Sequence, residues 1–202
     1  MNTDKNANET TSNAAASATT SGNALQAVLT RSAEAETCAD PSSVMTLLGE
    51  SSGAVGFTSY RSTFATGAVG APSHFHTKAT ELFFVISGSL QVLVDEEVKV
   101  LNAGDFLAVP PHTPHAFAAA PGCEADVLFV FTPGMDRFDY LRLLGRVLRG
   151  EADPKEIAES SERFDNHYVD SPVWREALES AKAEAAKPAN ANSEAKKAEA
   201  AK

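Results

Sequence analysis

The spacing of apolar and polar positions along this 202-residue chain changes twice. Residues 1–24 are mostly Asn, Thr, Ser and Ala, with almost nothing apolar. Such a stretch buries too little to offset the entropy of ordering, so it is expected to be a disordered N-terminal tail. A short apolar run at 24–29 could be a strand or a helical turn. Residues 38–41 read as a loop. Then short apolar runs rich in β-branched and aromatic residues follow, at 43–48 and 57–64. They recur every eight to twelve residues at 82–86, 90–94, 98–101, 106–109, 115–118 and 127–131. Turn residues punctuate them: Ser51-Ser52-Gly53, the stretch from Gly67 to Pro72, Ser87-Gly88-Ser89, Asp95-Glu96-Glu97, Asn102 to Asp105, and Pro110-Pro111. Short strands at this spacing predict an antiparallel β-sandwich or barrel. Several are apolar on both faces, so one face fills the interior. The other needs a cover from a second sheet layer, the helices or a second subunit.

After Thr132-Pro133-Gly134 the period becomes helical. Phe138, Leu141, Leu144 and Leu148 share one face, with Asp136 at the N-cap and Gly150 past the end. Arg142, Arg146 and Arg149 share another, read as a solvated cationic face. Asp153-Pro154-Lys155-Glu156 is a capping box with proline at the first helical position, starting a helix that should run to about Arg163. Ser171-Pro172 starts a third, carrying Trp174 and Leu178. Beyond it Ala, Lys and Glu alternate without an apolar stripe, so the tail is expected to be frayed or disordered. The expected organisation is a tail at 1–24, a β-barrel at 25–135, a helical extension at 136–180 and an Ala/Lys/Glu-rich tail at 181–202.

Composition narrows the function. Seventeen basic against 27 acidic residues give a net charge of −10. That argues against nucleic acid, which needs a basic footprint, and against an anionic membrane surface. No apolar run reaches the roughly 18 residues of a spanning helix. The first residues lack the basic start and apolar core of a secretory signal. Cys38 and Cys123 make no disulfide framework and read as two unrelated thiols in a reducing cytoplasm.

The candidate chemistry lies between Gly70 and His115. His74 and His76 are two apart on a predicted strand, so they point to one face and Phe75 to the other. Glu81 follows at an odd offset, so residues 77–80 must turn or bulge to bring it back. His115 opens a later strand. One histidine on a strand is more often an ordinary buried residue. Three imidazoles and a carboxylate at this spacing suit a borderline divalent ion: iron, nickel, manganese, cobalt, copper or zinc. Four such donors on an ion that accepts five or six leave positions open. His112 reads either as a loop residue near the barrel mouth or as a supporting acid or base. His167 reads as a surface residue. Phe75, Phe83, Phe84, Phe117, Phe129 and Phe131 supply aromatic bulk, most of it core. A minority facing inward would make a pocket suited to a flat aromatic ligand.

These residues resemble a known family. Gly70-x3-His74-x-His76-x4-Glu81-x6-Gly88 resembles the first cupin motif, and Gly104-x5-Pro110-x-His112-x2-His115 the second. Three positions depart: the distance of Gly70 from His74, His112 in place of a glycine, and Ala119 in place of an asparagine. The resemblance covers residues 44–133. It implies a jelly-roll barrel holding one divalent transition-metal ion per chain through His74, His76, Glu81 and His115. The C-terminal layout is similar to quercetin 2,3-dioxygenase-type cupins: Pro133-Gly134, then 138–145, Asp153-Pro154 and 162–165. So is Glu81-Leu82-Phe83-Phe84-Val85 with Gly88-x-Leu90-x-Val92.

That second resemblance implies a dioxygenase acting with O2 on a flavonol or similar enol-bearing aromatic. Glu81 would be both a metal ligand and the catalytic acceptor of the substrate's hydroxyl proton, which needs a raised pKa or a weak metal bond. Two alternatives stay open. One is a non-oxidative cupin, an isomerase or a cyclase of polyketide-like chains. The other holds a metal or small molecule without turnover. Cupins of this kind also pair through barrel edges, so a homodimer is expected.

Overall fold

The computed structural model describes residues 27–51 and 56–185. The expected N-terminal tail at 1–24, the start of the 24–29 run and part of the Ser51–Gly53 turn lie outside these residues, as does the expected 181–202 tail except for 181–185, which continue the last helix instead of starting a frayed tail. Residues 27–29 form neither strand nor helix, and Val28 and Leu29 are exposed.

Strand β5 (Thr80–Val94) joins the two halves of the barrel. Its first half pairs with β9 (Ala125–Thr132) and β7 (Phe106–Val109). Its second half pairs with β6 (Glu97–Asn102) and β8 (His115–Ala119). The sequence suggests two strands broken by a turn at Ser87-Gly88-Ser89. They are one strand with a kink, where the register shifts between Val85 and Ser87. Gly88 allows it: φ is +73°, and a Cβ there would sit 2.0 Å from the Glu124 carbonyl oxygen.

Outward from β9 run β3 (Thr58–Phe64), β2 (Ser43–Glu50) and β1 (Thr37–Ala39). The last of these takes in the first two residues of the 38–41 segment read as a loop, and residues 40 and 41 remain outside any strand. On the other half β8 pairs with β4 (Val69–Phe75), which starts inside the expected 67–72 loop. All pairings are antiparallel, as the strand spacing predicts. Gly70 of β4 is packed under Phe117, whose ring carbon lies 2.5 Å from where a Cβ would stand.

Alternation puts Tyr60 and Phe64 of β3, Phe83 and Val85 of β5, and Val127, Phe129 and Phe131 of β9 inside. Phe129 is the centre of this core. Tyr60 stacks on it at 4.7 Å, and Phe83 and Phe117 each lie 5.0 Å from it. Each such pair adds about 0.5–1.5 kcal/mol beyond burial. Phe84 points outward instead and is 41 % exposed, and Phe75 is half-buried.

Helix α1 (Arg137–Leu148) lies where the period predicts. Its cap differs from the expected one. Asp136 sits at the N-cap but its carboxylate bonds Arg163 and caps nothing, and Glu50 of β2 takes the Arg137 and Phe138 N–H groups at 3.2 and 3.3 Å. The arginines at 142, 146 and 149 are paired on the surface with Glu36 and Asp139, Glu156, and Glu151. Helix α2 (Pro154–Glu159) has the predicted capping box but stops at Ser160, and α3 (Ser161–Phe164) follows as one turn. The chain then adds a strand, β10 (His167–Tyr168), to the edge of β4. Helix α4 (Pro172–Ala185) supplies part of the outer cover, with Trp174 packed on Leu93, Ala116 and Ala118.

Candidate metal centre

The four predicted residues meet at one end of the barrel. His74 is the penultimate residue of β4 and pairs across the sheet with His115, the first residue of β8. His76 follows β4 directly, and Glu81 is the second residue of β5. The turn anticipated at 77–80 carries the chain between them. All four side chains are 1–2 % exposed. One ligand atom from each lies within 4.8 Å of the others. The Glu81 Oε2 is 2.7 Å from His115 Nε2 and 3.2 Å from His76 Nε2.

Each imidazole is held by its other nitrogen. His74 Nδ1 lies 2.8 Å from the Pro72 carbonyl, His115 Nδ1 2.9 Å from the Thr113 carbonyl, and His76 Nδ1 2.5 Å from the Asp165 carbonyl. A carbonyl only accepts, so each Nδ1 carries the proton and each Nε2 presents a lone pair inward. This support is the usual one for metal-binding histidines.

Burial holds His74 well below its ordinary pKa, with His115 and His76 adding to the effect, and burial lowers His76 as well. Burial also pushes the Glu81 carboxyl up, but its bonds to His115 and His76 outweigh this and hold it well below the usual range. Those bonds need a proton on Nε2; where Nδ1 alone carries the proton, Nε2 and the carboxylate oxygen face each other as acceptors. A cation between them resolves the conflict. The second carboxylate oxygen, Oε1, is buried without a partner. The donor set therefore fits one divalent ion, and nothing in it selects among the six candidates.

A cavity of about 300 Å³ adjoins this cluster, at the small end for ligand pockets. His74 is the one of the four that lines it. Tyr60, Phe64, Phe117, Leu141 and Leu144 give it an apolar wall, and Arg137, Tyr140 and Tyr168 add polar groups. Its aromatics are thus largely not those singled out from sequence: Phe83, Phe129 and Phe131 are core.

Several contributors had no clear sequence signal. Asp165 looks like an ordinary loop acid. Its carboxylate accepts from the N–H groups of Thr77 and Lys78 at 3.0 and 2.9 Å and from the Thr77 hydroxyl at 2.5 Å. These bonds pin the turn between His76 and Glu81. Arg137 is 3 % exposed. Tyr140 and Tyr168 share a hydrogen bond at 3.0 Å, and Tyr168 pairs with His74 across β10 and β4. Burial keeps the Tyr140 phenol protonated far beyond its ordinary range.

His167, expected on the surface, is only partly exposed. It sits in β10, stacked 5.1 Å from Phe75 and bonded to Asp165 at 3.0 Å. His112 is an exposed loop residue with φ +66°, and its N–H donates to the His76 carbonyl at 2.6 Å. The left-handed backbone explains why a glycine can occupy that position in related motifs. The two thiols are free, Cys38 buried and Cys123 partly so. Among the described residues no helix is long and apolar enough to cross a membrane.

Residues 60–131 match the model of the cupin domain family. Among solved structures, KdgF from Halomonas sp. is similar at 23 % identity and a TM-score of 0.48, over 56 % of this chain and 99 % of that one. An RmlC-like cupin from Shewanella frigidimarina gives 21 %, 0.42, 55 % and 94 % for the same measures. Pac13, described as a nucleoside dehydratase, gives 18 %, 0.43, 53 % and 82 %. No curated protein matches the chain. The matched residues lie in the antiparallel barrel and carry all four candidate ligands, His74, His76, Glu81 and His115.

Proposed function

We propose that this chain is a metal-dependent cupin dioxygenase of the quercetin 2,3-dioxygenase type, in which His74, His76, Glu81 and His115 hold one divalent transition-metal ion. The substrate is a small enol-bearing aromatic that reacts with O2. One observation carries the reading. Three Nδ1-anchored imidazoles and a carboxylate with an orphaned oxygen stand beside an aromatic-walled cavity. A bound ion there supplies Lewis acidity and, for the redox-active metals, one-electron chemistry. The chain's own residues supply the rest. Tyr60, Phe64 and Phe117 stack on or edge against a flat ring and exclude water. Tyr140, held protonated, donates a hydrogen bond to an oxygen of the ligand. Glu81 is first a ligand, and its free Oε1 is the acceptor for the enol proton. Because its carboxyl is held low it is a weak base, so this step suits enols acidified by an adjacent carbonyl.

The test is an oxygen electrode. Protein loaded in turn with iron, nickel, cobalt or manganese is offered quercetin and simpler enols. The reading predicts metal-dependent oxygen uptake that disappears in H74A and E81Q. Full metal loading with no uptake from any enol would overturn it and leave isomerase, cyclase or binding roles.

We also propose that two copies pair through the outer face of β5 and β7. Phe84 and Phe106 are cross-strand partners there, and with Ile86 they are 41, 62 and 43 % exposed. Light scattering of wild type should give a dimer mass and of F106K a monomer mass. A wild-type monomer would refute the pairing.

A further inference from the structure

Arg137 is a buried guanidinium without a carboxylate. It is 3 % exposed, and among the described residues it makes no ion pair. Glu50 spends its carboxylate on the backbone N–H groups of residues 137 and 138 rather than on the guanidinium. Of the five N–H donors of the side chain, one pairs well, with Asn166 Oδ1 at 3.0 Å. A second reaches the Phe164 carbonyl at a long 3.5 Å. The Nε is buried and has no partner. The guanidinium carbon lies 4.7 Å from the centre of the Phe131 ring and 4.3 Å from that of Tyr140, which orients the plane and offsets part of the charge.

Arginine does not lose its proton in proteins, and an uncompensated buried charge is costly. Arg137 lines the same cavity as His74 and Tyr168. We infer that Arg137 recognises a carboxylate on the substrate, so that the ligand is a compact, enolisable aromatic acid rather than a neutral flavonol. This rests on the proposed reading only for the enol. With a divalent ion balanced by Glu81 alone, the cavity wall would also carry excess positive charge that an acid neutralises. The carboxylate takes the Nη–H groups that Phe164 and Asn166 leave unpaired, one on each terminal nitrogen of the planar guanidinium. The ring lies against the apolar wall, and the enol end faces His74.

The test is calorimetric binding under nitrogen, with the full chain both zinc-loaded and metal-free. Phenylpyruvate is compared with its uncharged amide, in wild type, R137Q and R137K. Wild type should prefer the acid by about ten- to hundredfold. The preference should vanish in R137Q with the amide's affinity unchanged, and survive in part in R137K. Because wild type alone already compares acid with amide, poor folding of either variant leaves the proposal exposed. Equal affinity for acid and amide in wild type, no binding of the acid, or an unchanged preference in R137Q would overturn it and leave Arg137 a strut for the 164–166 segment. No oxygen is consumed in this assay. An acid preference without oxygen uptake would sink the dioxygenase reading and keep this one, and uptake with neutral enols but no acid preference would do the reverse.

Discussion

The carbonyl of Asp165 accepts the Nδ1 proton of His76 across 89 residues of sequence, at 2.5 Å. A residue from the segment after α3 thus fixes the tautomer of a candidate ligand on the barrel. The same residue clamps Thr77 and Lys78 through its carboxylate and takes a left-handed backbone, φ +50°. The C-terminal segment is therefore part of the site.

Replacing Asp165 with Ala removes the clamp and strains the backbone. The expected cost is about 2–4 kcal/mol, read by urea unfolding, with metal affinity reduced about tenfold or more. D165N, which tolerates the left-handed conformation and keeps the carbonyl on His76, should lose less of both. Equal losses in the two variants would mean that the carboxylate matters no more than backbone fit.

Stability of the metal-free chain should fall as pH drops. His74 and His76 have folded pKa values below their ordinary 6.5, the first by a wide margin. Below about 6.5 the unfolded chain takes up protons that the folded chain refuses, so stability declines from there down to the folded values. Glu81, held below its ordinary 4.5, extends the decline at the acid end. Loaded protein should keep its ion to lower pH than unperturbed imidazoles would allow, because the ligating form persists. Urea midpoints and metal content after dialysis across the acid range check both statements. A metal-free stability that is flat between pH 7 and 5 contradicts the first.

Much of this site is legible in the sequence. Two histidines at i and i+2, a carboxylate beyond a short turn and a histidine opening a later strand are local patterns, and strand alternation alone puts them on one face. The β9 aromatics are legible for the same reason. What is not legible depends on where distant segments return. Nothing near Asp165 marks it as a partner of His76, nothing near Arg137 says that its guanidinium is buried, and a two-residue strand such as β10 has no period to read. The Gly88 kink looks like a turn because a glycine between serines has the same composition in either. Only the pairing of residues on both sides of it with β9 and β8 separates the two.

His112 is an imidazole on the backbone geometry of a glycine. Its ring is exposed, and the contact that serves the site is its N–H on the His76 carbonyl. H112G should relieve the left-handed strain, partly offset by glycine's greater freedom in the unfolded chain. The net effect expected is a stabilisation of up to about 1 kcal/mol, with metal content unchanged. Loss of metal in H112G would show that the ring itself takes part.

The central claim is that His74, His76, Glu81 and His115 together hold one ion. Elemental analysis of protein dialysed against limiting metal at neutral pH tests it most directly, in wild type and in each of H74A, H76A, E81A and H115A. The account predicts one equivalent per chain in wild type and a large loss in each variant, with the fold retained by circular dichroism. No stoichiometric metal in wild type, or full metal in folded variants, would contradict it.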